Sequence, residues 1–201
     1  SDLIYPVPVF DPEEKKNQEA ELTKTDVAQP AIGSISLAML KILDYFGLKP
    51  DAACGHSFGE LTALNAAGWI SDDTLLKFAV NRGRLMAAAG KNGDKDPGTM
   101  SAVKAPLEEI EGLLQNSDLG VILANRNTPT QGVLSGPTEA IAEAEKRCKE
   151  KGFKTVRLSV AAAFHSRLMK DAQQPFMNIV RESDMTPTDI PVYSNTLGAP
   201  Y

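Results

Sequence analysis

The chain has 201 residues, 42% apolar and 23% charged, enough to bury a real core in one domain or in a larger domain that carries a small insert. Its formal net charge of −5 argues against a nucleic-acid partner, whose phosphates need a basic face. Cys54 and Cys148 are the only cysteines, which points away from a disulfide-built secreted scaffold; neither has the companions of a zinc site, so no metal is expected. No apolar run approaches the roughly 18 residues that span a membrane, no leader is expected ahead of Ser1, and a reducing cytoplasm is the expected compartment. Both ends read as cut, since the chain opens on Ser1-Asp2-Leu3 and stops at Gly198-Ala199-Pro200-Tyr201; a piece of a longer polypeptide is expected.

Residues 1–10 are apolar and Pro-rich and read as extended; residues 11–26 mix both charges and read as surface. Ile32, Ile35, Met39, Ile42 and Phe46 recur at steps of three and four, the apolar stripe of an amphipathic helix that ends near Gly47 and Pro50. Ala52-Ala53-Cys54 reads as a short buried strand. Helical spacing restarts with Phe58, Leu61, Leu64 and Ala67, and Ser71 is an N-cap for a helix through about Ala89. Residues 91–98 form a polar loop and a candidate boundary.

Residues 99–158 then give strand, helix, strand, strand, helix, strand. Met100 to Val103 is a strand, Pro106 opens a helix, residues 121–124 and 131–135 are strands, Pro137 opens a second helix that Gly152 ends, and Phe153 to Leu158 closes the set. That order is the ferredoxin-like βαββαβ unit. Helix returns at about 167–182, and residues 191–194 read as a strand.

Gly55-His56-Ser57-Phe58-Gly59 matches G-x-S-x-G, the nucleophile elbow. A reactive Ser must stand on a sharp strand-to-helix turn, and the flanking glycines let the backbone crowd it. The next helix then aims its N-terminus at the developing oxyanion, with the backbone N–H of Phe58 as one donor. A nucleophilic Ser needs a base, and there are two histidines. His56 adjoins Ser57, leaves the turn in another direction and reads as packed beside the site. His165 is the remaining candidate base.

At these residues the sequence resembles the malonyl-CoA:acyl carrier protein transacylases and the acyltransferase domains of polyketide synthases, from about Leu3 to Tyr201. The anchors are Thr25-Asp26-Val27-Ala28-Gln29-Pro30-Ala31, Gly55-His56-Ser57-Phe58-Gly59-Glu60, Arg82-Gly83-Arg84-Leu85-Met86, Asn127-Thr128-Pro129-Thr130-Gln131 and Ala163-Phe164-His165-Ser166. The wording is closest to polyunsaturated fatty acid synthases, with enediyne-type iterative synthases next. The resemblance implies an α/β fold: a partial α/β-hydrolase-like acyltransferase core over 1–98 and 159–201, with a ferredoxin-like subdomain over 99–158.

The resemblance also implies roles. Ser57 is acylated, and His165 takes its proton and later activates the incoming thiol. Arg82 pairs with the free carboxylate of malonyl, Gln29 and His56 lie at the substrate site, and Asn127 and Gln131 shape the wall near His165. In the family a Phe before the His accompanies malonyl, so Phe164 favours malonyl over methylmalonyl, although Ala162 replaces a usual polar residue. No cofactor is held: a coenzyme A thioester is the substrate, and phosphopantetheine sits on the partner, an acyl carrier protein among neighbouring synthase domains. Two family segments are missing, an N-terminal P-G-Q-G-x-Q and a C-terminal Gln or Asn that positions the histidine. Losing one oxyanion donor costs about 100- to 1000-fold in rate, so activity is expected to be weakened or absent unless those parts come from elsewhere.

Two alternatives stand beside this one. A serine esterase or thioesterase would use the same elbow, with Asp118 as the candidate acid, but gives Arg82 no purpose. A non-catalytic domain that docks a carrier is the other. Carrier proteins are usually acidic, so a local basic face is expected despite the net charge. Lys146, Arg147, Lys149, Lys151 and Lys154 crowd the second helix of the insert and its exit, where a merely solvated helix end is the plain alternative.

Overall fold

Short apolar runs alternating with helical stripes produce an α/β fold. A computed structural model describes residues 2–90, 96–115, 119–160 and 162–201. Asp118, and residues 91–95 of the expected boundary loop, lie outside the described residues. The chain divides into two units, Ser1–Leu85 with Pro175–Tyr201 and Met86–Gln174.

In the first unit, the charged segment forms α1 (Pro12–Thr23), which buries nothing; Asp11 caps it by accepting from Glu13 N–H at 3.0 Å. Helix α2 (Thr25–Tyr45) begins seven residues ahead of the apolar stripe and runs through Pro30, which costs it one backbone hydrogen bond. The stripe itself is not the buried face. Ile32, Met39, Ile42 and Phe46 are 52–72% exposed, while Gln29 and Gly33 are buried and Leu37 packs on the core. Close approach explains the difference. A Cβ at Gly33 would lie 3.1 Å from the Phe58 ring and 3.3 Å from the Ala79 methyl, so small residues make the contact and the bulky ones are left outside. Contrary to the sequence expectation, α2 is also long and apolar enough to cross a membrane by length and composition alone.

Strand β1 (Ala53–Cys54) pairs in parallel with β6 (Val192–Ser194), and β6 pairs antiparallel with β7 (Ala199–Pro200). The expected burial of β1 does not occur: Cys54 is exposed, because β1 has a described neighbour on one side only. Helix α3 (Gly59–Ala66) follows the elbow. Helix α4 (Asp72–Gly90) is capped by Ser71, whose hydroxyl accepts from Thr74 N–H at 3.1 Å. Phe58, Leu64, Leu75, Phe78 and Val192 form the core, and Phe176 of α7 (Lys170–Arg181) meets the Phe78 ring edge-on at 5.8 Å.

The second unit holds β2 (Thr99–Lys104), α5 (Leu107–Gln115), β3 (Ile122–Thr128), β4 (Gln131–Gly136), α6 (Thr138–Glu150) and β5 (Lys154–Arg157). The sheet is antiparallel in the order β3-β4-β2-β5. Helices α5 and α6 cover one face over a core of Val103, Ile110, Leu134, Ile141 and Cys148, all fully buried. Gly152 ends α6 with φ +80°, a conformation that favours glycine. The segment after β5 is tied to the sheet: Leu158 N–H donates to Met100 C=O at 2.9 Å, and Ala163 N–H to Pro97 C=O at 2.9 Å.

Candidate active site

The elbow forms because one of its glycines is sterically required. A Cβ on Gly55 would sit 2.0 Å from the carbonyl carbon and oxygen of Gly59, so the turn closes only over a bare backbone. Gly59 has open space around it, contrary to the expectation that both glycines relieve crowding. Between them Ser57 is held at φ +54°, and among the described residues only one other non-glycine, His165 at φ +60°, adopts such a backbone. Left-handed backbone at ordinary residues costs on the order of 1–3 kcal/mol and persists where surroundings over-determine it, commonly at functional sites.

Phe58 follows Ser57 as the N-cap of α3, its ring buried in the core and against Gly33. Its backbone N–H has no acceptor among the described residues, as an oxyanion donor requires. His56 is exposed rather than packed.

Arg82, on α4, reaches back to the elbow. It donates to Gln29 Oε1 at 2.7 Å and to Ser57 Oγ at 3.1 Å, and Gln29 Nε2 donates to Thr25 Oγ1 at 2.8 Å. Gly83 makes this possible: a Cβ there would lie 2.8 Å from Thr25 O and 3.0 Å from Asp26 Cα, so α4 can press onto the start of α2. Burial pulls the Arg82 guanidinium below its ordinary value, and the charge of Glu60 opposes that shift. Among the described residues Arg82 makes no ion pair with a carboxylate, so its fork remains available to one brought by a ligand. Arg84, two residues further along α4, is exposed.

Sequence reasoning gave Glu60, Asn195 and Tyr201 no role. Glu60 Oε1 accepts from Asn195 N–H at 2.8 Å and from the Tyr201 hydroxyl at 3.0 Å, and the Asn195 amide donates to Gly55 C=O. The β6–β7 hairpin thus grips the elbow at both ends. Glu60 stands at the end of the elbow motif, but its partners lie 135 and 141 positions away, beyond any local pattern.

In the second unit the segment carrying Phe164 and His165 is fixed from below. The buried Ser135 of β4 donates its hydroxyl to Phe164 C=O at 2.7 Å, and the Ser166 hydroxyl donates to Ala163 C=O at 2.6 Å. Ala162 and Ala163 are buried, Phe164 is half-buried and His165 is exposed. Asn127 on β3 and Gln131 on β4 are exposed. The structure therefore joins Gln29, Ser57 and Arg82 in one hydrogen-bonded chain in the first unit and fixes Phe164 and His165 in the second. Among the described residues no group of three or more His, Cys, Asp or Glu side chains could hold a metal ion.

Residues 15–200 match the family model for the acyl transferase domain. The chain is 36% identical over 189 residues to the polyketide biosynthesis protein ThaF of Burkholderia thailandensis, covering 92% of this chain and 16% of that protein. It is 36% identical over 180 residues to the malonyl CoA-acyl carrier protein transacylase of Bacillus subtilis, covering 87% and 56%. It is 31% identical over 204 residues to one component of the polyunsaturated fatty acid synthase of a Thraustochytrium species, covering 100% and 7%. Among solved structures, the acyltransferase domain from the second module of the salinomycin polyketide synthase superposes with a TM-score of 0.83 at 33% identity, covering 100% of this chain and 45% of that one. The malonyl CoA-acyl carrier protein transacylase of Clostridium perfringens gives 0.84 at 30%, covering 98% and 61%. The chain spans less than two thirds of each of these relatives.

Proposed function

Since the chain belongs to the acyl transferase domain family, we propose that it moves a malonyl group from coenzyme A, through an acyl-serine, to the phosphopantetheine thiol of an acyl carrier protein. The observation that carries this reading is the bridge from Gln29 through Arg82 to Ser57. A guanidinium without a carboxylate partner among the described residues, half-buried and in contact with the nucleophilic hydroxyl, suits an acyl chain that ends in a carboxylate. A hydrogen bond to a charged group contributes about 1.5–3 kcal/mol, roughly ten- to more than a hundredfold in favour of malonyl over acetyl.

In this proposal Ser57 Oγ attacks the thioester carbonyl while His165 takes the hydroxyl proton. The carbonyl oxygen gains the negative charge and accepts from Phe58 N–H. Collapse breaks the C–S bond, and His165 returns the proton to the leaving coenzyme A thiolate. The carrier's thiol then gives its proton to His165 and attacks the acyl-serine; collapse of the second intermediate re-forms the Ser57 hydroxyl with that proton. Gln29 holds the Arg82 fork, His56 and Asn127 border the substrate, and Phe164 limits the pocket to an unbranched extender. A division at 98/99 and 158/159, neighbouring synthase domains and a cytoplasmic setting belong to the same proposal.

Incubation with radiolabelled malonyl-CoA should label the protein, and Ser57→Ala should abolish the label. Label that persists in the variant would remove Ser57 from the mechanism. Free malonate released without transfer to a carrier would favour a hydrolase.

A further inference from the structure

Two lysines of the second unit are set against each other in a way that the fold does not require. Lys104 ends β2, and Lys154 begins β5; the two are Cα partners in the antiparallel ladder. Directly opposed residues project to the same face with Cβ atoms about 5 Å apart, and like charges in that position destabilise the pair. Neither lysine has an ion-pair partner among the described residues. The arginines nearby behave differently: Arg147 is paired with Glu143 at 3.0 Å and Arg157 with Glu145 at 2.7 Å. Lys151, exposed at the C-cap of α6, stands three residues ahead of Lys154 and adds to the positive charge.

The pleat decides which way these lysines point. Val103 faces the helix-covered core, so Lys104, the next residue, points to the helix-free face, and its partner Lys154 points there too. Val156 lies opposite Ala102 on the same face and is 63% exposed, an apolar side chain beside the cations at the rim of the sheet. Among the described residues strand β5 is the sheet edge, with β2 as its one strand partner. Farther along the helix-free face, Ser135 holds the carbonyl of Phe164, next to His165. From Lys104 to Met100, the cross-strand partner of Ser135, is four residues, about 13 Å of strand. An unpaired basic pair with an apolar neighbour thus shares a sheet face with the segment that carries the candidate base, in a chain whose net charge is −5.

We propose that Lys104, Lys154 and Val156 form the docking surface for an acidic protein, the carrier whose thiol accepts the acyl group. This rests on the reading of the chain as an acyltransferase. Docking supplies the missing negative charge between the two lysines, covers Val156, and presents the carrier on the His165 face. Attraction of this kind weakens as salt rises.

The test uses the full chain and a fluorescently labelled bacterial holo-acyl carrier protein, with affinity read by anisotropy across ionic strength. Wild type should bind with an affinity that falls as salt rises. The double variant Lys104→Glu/Lys154→Glu should bind roughly tenfold or more weakly with a flattened salt response, Lys104→Arg/Lys154→Arg should retain binding, and Ser57 acylation by malonyl-CoA should be unchanged in both. Unchanged carrier affinity in the charge-reversed protein would overturn the proposal. So would an equal loss in Ser57 acylation, which would make the coenzyme A phosphates the occupant. A variant that self-associates while binding carrier normally would show that the lysines only guard the open edge of β5. Wild type that binds carrier but is never acylated would sink the acyltransferase reading and leave the docking surface standing.

Discussion

Both units seal an apolar core, but they differ in what they leave outside it. The second closes a four-stranded sheet under α5 and α6, and Val103, Ile110, Leu134 and Ile141 are completely sealed. The first, with three short strands among its described residues, seals Leu75, Phe78 and Val192 as completely, leaves a bulky stripe of α2 in solvent, and closes its elbow over the bare backbone of Gly55. Apolar side chains therefore hold both cores, and in the first unit hydrogen-bonded polar side chains also fix the elbow. Damage should follow burial: a trimmed aliphatic is costly in either sealed core and cheap on the exposed stripe of α2.

The largest effect that sharpens this contrast comes from one substitution made in both places. Ile110→Ala in the sealed core should cost about 2–5 kcal/mol, and Ile42→Ala on the exposed stripe should stay within about 0.5 kcal/mol. Urea midpoints of the two variants check this, and equal losses would break the comparison. Next in size, Arg82→Ala should cut the preference for malonyl-CoA over acetyl-CoA by roughly ten- to a hundredfold, from the lost charged hydrogen bonds, while the urea midpoint moves little. Competition labelling of Ser57 with the two thioesters measures it; an unchanged preference would remove Arg82 from recognition.

The smallest concerns the entry to the second unit. Asp96 accepts from the Thr138 hydroxyl and N–H, both at 2.6 Å, and from Gly98 N–H at 2.9 Å. These bonds, the Thr138 hydroxyl foremost, hold its carboxyl below the ordinary value. A carboxyl lowered in the folded state adds stability above its unfolded value of about 3.9 and loses it as pH falls through the folded value. The difference in stability between wild type and Asp96→Ala should therefore be present at neutral pH and shrink below about pH 4. A difference that stays constant down to about pH 2 would exclude the carboxylate as its source.

How much of this was legible in the sequence depends on how local each cause is. The βαββαβ order, the Ser71 cap and the elbow announce themselves through neighbouring residues, and the structure has all three. The stripe on α2 announced a helix correctly and its buried face wrongly, because periodicity counts apolar residues and Gly33 is not one of them. Burial of β1 failed for a related reason: three apolar residues cannot report whether a strand has two neighbours or one. Arg82 and Gln29 were named through resemblance, but their meeting at Ser57 is a fact of how α4 crosses α2 over Gly83. The Glu60 clamp and the Ser135 support were not legible, since each joins residues far apart in the chain through one hydrogen bond.

The left-handed backbone at residues 57 and 165 has a consequence for how such a domain changes over generations. Glycine would rest comfortably at either position, yet it carries no hydroxyl and no imidazole. If the two residues act as proposed above, drift that rewards a firmer fold pulls these sites toward a residue that ends turnover. A descendant kept only as scaffold should show glycine there early, and its presence would mark a domain that has given up its reaction.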